Sequence, residues 1–174
     1  MSGRSYTLKR RAEGMAETRA RIVDAAIALH STLGPARTTV SEIAERVTVY
    51  RHFPDELSLA RACSGHYFAA HPFPDVAAWR EVDDPGQRLR TAIRESYAWF
   101  ADTEAMIGRV LADARDHTVM VPYHRYWDEA ARAVAAAWGA RGRRRERLLA
   151  AVALALSFDA YRTLVAERGL AIRL

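Results

Sequence analysis

The sequence predicts an all-α protein, and three observations support this. Apolar residues recur every three or four positions along most of the 174-residue chain, which is the period of an α-helix with one buried face. The alternation of β-branched and polar residues that marks strands is almost absent. Helix start and stop signals occur where the periodicity lapses. Half of the residues are hydrophobic, which is enough for a buried core and excludes a wholly disordered chain.

The N-terminal third predicts one long helix followed by shorter ones. The first helix ends at Gly34-Pro35, and four apolar residues share its buried face: Ile22, Ala26, Leu29 and Leu33. Thr39 and Glu42 have the spacing of a capping box, which predicts a short helix from residue 40. Residues 54–56 (Pro-Asp-Glu) mark another helix start, and that helix places Leu59 and Cys63 on one side.

Residues 71–86 are rich in proline and are predicted as the main break in the chain. Longer helices follow. One has two apolar stripes: Leu89, Ile93, Tyr97 and Phe100, then Ile107, Val110, Leu111 and Ala114. The last two are predicted over about 122–138 and 143–168. The final helix is apolar around much of its circumference, so it needs burial on more than one side, in a deep core or at a subunit interface.

Charge and composition restrict the class of protein. The net charge of +5 is compatible with an anionic partner. Residues 1–21 contain six basic groups: Arg4, Lys9, Arg10, Arg11, Arg19 and Arg21. A second run, Arg141 to Arg147, is predicted as a solvated loop. The longest apolar stretch, 148–158, is too short to span a membrane, and Cys63 is the only cysteine. We therefore expect a cytoplasmic protein without internal disulfides, with Cys63 in its core.

The motifs of common enzymes are missing from the sequence. It has no Gly-x-Ser-x-Gly elbow, no glycine-rich phosphate loop and no His-Glu-x-x-His helix. The sequence therefore predicts no catalytic residues, no cofactor and no bound metal.

Two adjacent segments resemble a known DNA-binding domain. Residues 38–45 (Thr-Thr-Val-Ser-Glu-Ile-Ala-Glu) followed closely by residues 48–53 (Thr-Val-Tyr-Arg-His-Phe) resemble the helix-turn-helix domain of tetracycline-repressor (TetR) family regulators. The helix upstream, from Arg21 to Gly34, fits the same pattern. The resemblance covers about residues 18–59, a quarter of the chain, and the later helices carry no diagnostic motif.

The resemblance implies a set of DNA contacts. Thr39, Tyr50 and His52 would bind phosphates, Thr48 would face the bases, and Arg51 would contact phosphate or guanine. The chemistry of these residues is suitable, because a helix N-terminus offers free N–H groups to a phosphate, and hydroxyl, imidazole and guanidinium groups donate hydrogen bonds. Phe53, in contrast, is predicted as a core residue.

The resemblance also implies an architecture and partners. A DNA-binding domain with a basic N-terminal arm (1–54) would precede a regulatory and dimerisation domain (55–174). The homodimer would form through helices 122–138 and 143–168, and bind a palindromic operator as a repressor. A small apolar effector would release it, held by Tyr97, Phe100, Val110, Trp127 and Phe158. Two alternatives are a ligand-independent DNA-binding protein and a helical small-molecule-binding protein or enzyme with a vestigial DNA-binding motif.

Two departures from the family pattern lie in this region. Glu56 stands where the family usually has a lysine, so a phosphate contact is lost there or supplied by Arg51. About five residues of the turn are missing around Arg46–Val47. We therefore predict that the chain is interrupted between residues 45 and 48. If it were continuous, residues 39–53 would form one helix about 22 Å long, which could not present both Thr39 and Thr48 to DNA.

Overall fold

The computed structural model describes residues 3–171, and the elements in this range are helices and turns. The helices are α1 (Gly3–Thr32), α2 (Val40–Ile43), α3 (Arg46–His52), α4 (Glu56–Ala70), α5 (Val76–Arg80), α6 (Pro85–Ala114), α7 (Val121–Ala136), α8 (Gly142–Ala155) and α9 (Phe158–Tyr161). Short 3-10 turns occupy Pro35–Arg37 and Thr118–Met120, and a π-helical turn occupies Arg162–Glu167. No strand occurs in the described range, so the all-α prediction is confirmed there.

The chain divides into two compact units. The first contains the chain up to Ala70 together with Arg109–Val119, and the second contains His71–Gly108 and the chain from Met120 onward. These limits differ from the domain boundary expected after residue 54, because Leu59 and Cys63 of α4 belong to the core of the first unit. The ends of the two expected domains, residues 1–2 and 172–174, lie outside the described residues.

The core of the first unit is built from α1, α3 and α4. Its buried residues are Ile22, Val23, Ala26, Val49, Phe53, Leu59 and Cys63, and Val40, Ile43 and Ala44 pack against them. The predictions that Phe53 and Cys63 are core residues are confirmed. Burial also raises the pKa of the Cys63 thiol to about 11, because a thiolate is poorly solvated in apolar surroundings.

The predicted end of α1 is confirmed and is fixed from two directions. Gly34 has a φ of +89°, a conformation that residues with a side chain rarely adopt. The last turn of α6 supplies two contacts to this end: Arg109 Nε donates to the Thr32 carbonyl over 3.0 Å, and the Asp113 carboxylate accepts from the Ala36 N–H over 3.1 Å.

The chain is continuous between residues 45 and 48, so the predicted interruption is wrong. The N–H groups of Thr48 and Val49 donate to the Glu45 carbonyl over 2.8 and 3.0 Å. A single helix over 39–53 does not form either, because Ala44 is extended (φ −167°, ψ 174°) and Glu45 is not helical (φ −54°, ψ 127°). This break lets α2 and α3 both pack on the first core, which stabilises short helices more than added backbone hydrogen bonds would.

The second unit has a core of its own between α5, α6, α7 and α8. Its buried residues are Val76, Trp79, Ala92, Ala130, Ala131, Ala133, Val134, Ala135, Val152 and Leu156. Arg88 joins three carbonyl groups across it, those of Arg80, Val82 and Ala133, over 2.8 to 3.0 Å. The abundance of alanine allows these helices to approach closely.

The single final helix predicted over 143–168 is wrong, because α8 ends at Ala155 and a new helix begins after Ser157. Ser157 is extended (φ −85°, ψ 153°), and its hydroxyl accepts a hydrogen bond from the Ala160 N–H. The same hydroxyl donates to the Leu154 carbonyl over 2.8 Å. The break places Phe158 against Gly108 of α6, where a Cβ atom would be 3.4 Å from the phenylalanine ring.

The basic run Arg141–Arg147 is exposed, as predicted, but it is not a loop. Residues 142–147 form the first turns of α8, and Gly142 takes the positive φ (+53°) at the start of that helix.

Within residues 3–171, no single helix is long and apolar enough to cross a membrane. The pair Gly142–Ala155 and Phe158–Glu167, bent by 56°, has the combined length and apolar composition of a broken span, which the buried core helices of soluble proteins also have.

Candidate nucleic-acid interface

The short helix α3 has one buried and one exposed side. Val49 and the capping residue Phe53 are 2% and 1% exposed and fix the helix to the first core. On the other side, Val47 is 66% exposed, Tyr50 is 41% exposed, and Arg51 is also exposed. A helix held in this way presents a fixed row of side chains to solvent.

Four of the five expected DNA contacts lie on α3. Tyr50 and Arg51 are exposed, whereas Thr48 and His52 are half-buried at the edge of the outward side. Sequence reasoning missed Val47, the most exposed apolar residue of this helix. The signal was available, because Val47 precedes Tyr50 and Arg51 by three and four residues and so shares their side of the helix.

Thr39 caps α2. Its N–H group was expected to be free to bind a phosphate, but it already donates a hydrogen bond within the protein. The Glu42 carboxylate accepts hydrogen bonds from the Thr39 N–H (2.7 Å) and the Thr39 hydroxyl (2.8 Å), and the Glu42 N–H donates back to the hydroxyl oxygen (3.3 Å). These bonds lower the pKa of Glu42, so its carboxylate is charged. A phosphate approaching Thr39 would therefore meet a negative charge.

The segment that contains α2 and α3 is acidic overall. Between residues 39 and 56 there are two arginines, Arg46 and Arg51, and four carboxylates: Glu42, Glu45, Asp55 and Glu56. All six side chains are exposed. The hydrogen-bond donors of α3 therefore lie in a segment with a net charge of −2 when His52 is neutral.

A basic residue of α1 contacts this segment on its core side. The Arg19 guanidinium carbon lies 4.6 Å from the centre of the Phe53 ring, a distance typical of a cation–π contact. This contact joins α1 to the C-terminal end of α3, beside Arg51 and His52.

The expected effector-site residues gather only in part. Phe100 is fully buried, and its ring centre is 4.8 Å from Trp127, 5.5 Å from Phe158 and 6.4 Å from Tyr97. Val110, the fifth expected residue, lies in the first unit. The second unit therefore contains an aromatic cluster, defined here as Tyr97, Phe100, Trp127 and Phe158.

Two buried polar atoms of the second unit have no hydrogen-bond partner among the described residues. They are the Trp127 indole nitrogen Nε1 and the Ser96 hydroxyl oxygen. Leaving such groups unpaired costs about 1–3 kcal/mol each. The indole N–H of the aromatic cluster is therefore a buried donor without a partner among the described residues.

No protein-family model matches the chain, and no curated protein or solved structure is significantly similar to it.

Proposed function

We propose that the chain is a sequence-specific DNA-binding regulator in which α2 and α3 act as a helix-turn-helix and α3 enters the major groove. The observation that carries this proposal is the outward side of α3. It combines hydrogen-bond donors and an apolar side chain on a helix anchored by Val49 and Phe53. The break at Ala44–Glu45 takes the place of the longer turn that the family has.

The side chains of α3 divide by the contacts that they suit. Tyr50 and His52 donate to backbone phosphates and set the position of the helix, which affects all sequences alike. Thr48 faces the bases, and Arg51 suits phosphate or guanine. Val47 adds an apolar contact of the kind that thymine methyl groups accept.

The active form is a homodimer whose two α3 helices bind an inverted repeat. Exposed leucines on the C-terminal helices support an interface there: Leu154 is 66% exposed and Leu164 is 42% exposed. Leu148 and Leu149 are half-buried on α8. Large apolar side chains that are exposed along the same stretch suit burial against a second copy.

We further propose that the protein is a repressor released by a small apolar effector. The aromatic cluster provides the apolar surroundings, and the unpaired Trp127 N–H provides one point of orientation. A compound bound there quenches tryptophan fluorescence in the wild type and less in Trp127→Phe. A differential affinity of about 1–3 kcal/mol between the two states changes operator occupancy 5- to 150-fold.

Selection of bound duplexes from a random library at 150 mM salt tests the proposal. The expected product is an inverted repeat whose half-sites are separated by one helical turn or a multiple of it. Enrichment of no sequence over the starting library would contradict specific recognition and favour a vestigial motif. Sedimentation of the free protein checks the dimer in the same samples.

A further inference from the structure

The first half of α1 extends beyond the core of the first unit. The buried residues of this helix begin at Ile22, whereas residues 8–21 are exposed apart from the half-buried Thr18. We call residues 3–21 the α1 extension. At 1.5 Å per residue it is about 28 Å long, and its sequence is strongly basic.

The α1 extension carries a net charge of +4, from six basic residues against Glu13 and Glu17. The segment 39–56 carries −2, as described above. DNA attracts proteins mainly through its phosphates, and this attraction dominates affinity. If α3 enters the groove, the segment around it supplies no net attraction to the phosphates. The positive charge that holds the first unit on DNA must therefore come from another part of that unit.

One side of the α1 extension combines arginines with small residues. Arg11, Gly14, Thr18 and Arg21 follow one another at intervals of three and four residues, so they share one face of the helix. The Thr18 hydroxyl is turned onto the Gly14 carbonyl at 2.9 Å, and nothing lies within 4 Å of where a Gly14 Cβ would be. A phosphate backbone can therefore approach the helix closely between two guanidinium groups.

The apolar residues of the extension do not form a membrane-binding face. Leu8 and Met15, which are 63% and 50% exposed, share their side of the helix with Arg11 and Arg19. Tyr6 lies on the opposite side, with Arg10 5.9 Å above its ring. Helices that lie on a membrane surface need a continuous apolar face, which this arrangement lacks.

The extension leaves the core beside α3. The contact between Arg19 and Phe53 places the C-terminal end of the extension at the C-terminal end of α3, where Tyr50, Arg51 and His52 lie. We propose that the α1 extension is a second DNA-contacting element, which binds backbone phosphates next to the α3 site without reading bases. This inference rests on the proposed DNA-binding function.

A pair of matched double variants tests the inference. Arg11→Gln/Arg21→Gln removes two charges from the extension, and Arg90→Gln/Arg94→Gln removes two from exposed positions of α6. Glutamine retains helix propensity in both. Each phosphate contact contributes about 0.9 to the slope of log affinity against log salt. The proposed dimer carries both changes in each subunit and so loses four contacts, which should lower that slope by about 3.6, whereas the control should leave it unchanged.

Affinity for a selected 30-bp duplex is measured from 50 to 200 mM salt, with circular dichroism to check helix content. Over this range wild-type affinity should fall about 150-fold more than that of the extension variant. Base preferences should stay the same. An unchanged slope, or an equal change in the control, would overturn the inference.

Two further results separate this inference from its alternatives. In one, the wild type binds phosphatidylserine vesicles, the extension variant does not, and both have the same slope of log DNA affinity against log salt. That result would identify a membrane partner and reject the inference. If wild type binds duplexes without preference, the proposed function fails, but the slopes still decide the role of the extension. If it binds no duplex at 50 mM salt, both proposals fail.

Discussion

Replacing Val49 by alanine is expected to destabilise the first unit, because this side chain fixes α3 to the core. Val49 is 2% exposed, and the change removes two buried carbon atoms at about 0.8 kcal/mol each. The cavity left behind adds a further penalty. We therefore expect a loss of about 2 kcal/mol in the free energy of unfolding.

The same substitution at Val47 provides the matched control. Val47 lies on the same helix but is 66% exposed, so its change should stay within about 0.5 kcal/mol. Alanine has the higher helix propensity at both positions. The difference between the two variants therefore isolates the burial of Val49.

Cys63 offers a direct measurement, since it is the only cysteine and lies in the same core as Val49. Pulse labelling with a thiol reagent across a urea titration reports the opening of that core. With a slope of about 2 kcal/mol per molar urea, the Val49→Ala midpoint should fall by about 1 M. Equal midpoints for the two variants would refute the orientation of α3.

Two other predictions concern the end of α1 and the second unit. Gly34→Ala should lower the free energy of unfolding by about 1–2 kcal/mol, because φ is +89° and the added Cβ would collide with the Asp113 carboxylate. Urea unfolding measures this loss. Adding Asp113→Ala to the Gly34→Ala variant should remove the collision and leave only the cost of the backbone conformation. Burial and the hydrogen bond to Glu104 raise the pKa of Tyr161 to about 12. The contribution of the neutral hydroxyl to the free energy of unfolding is therefore complete below pH 10 and is lost as the pH rises to about 12. Thermal unfolding followed by tryptophan fluorescence should show this loss, and Tyr161→Phe should reduce it; identical pH profiles would contradict the assignment.

Local signals in the sequence predicted the ends of elements where one residue type determines the backbone. Gly34 ended α1, and Thr39 with Glu42 began α2, because a positive φ and a capping box act over a few residues. The burial of Phe53 and Cys63 followed from periodicity. These features needed no knowledge of distant parts of the chain.

Breaks that depend on packing were not predicted. Ala44 and Glu45 contain no helix-breaking residue, and α2 and α3 separate there because both pack on α1. Ser157 caps the helix that begins at Phe158. It was not recognised as a cap because it lies inside the apolar run 148–158, whose periodicity predicted a single helix. The contact between Arg19 and Phe53 joins residues far apart in the chain, so no local pattern indicated the role proposed for the α1 extension.

The central claim is that the outward side of α3 reads DNA, and base preference tests it most directly. Affinity is measured by mobility shift for every single-base change of the selected site, for Thr48→Ala, Tyr50→Ala and the exposed control Thr163→Ala. Tyr50→Ala should weaken binding about tenfold or more on all sequences. Thr48→Ala should instead change the preferred base at a symmetric position in each half-site. The claim would be contradicted if Tyr50→Ala left affinity unchanged, or if all three variants kept the wild-type preferences and affinities.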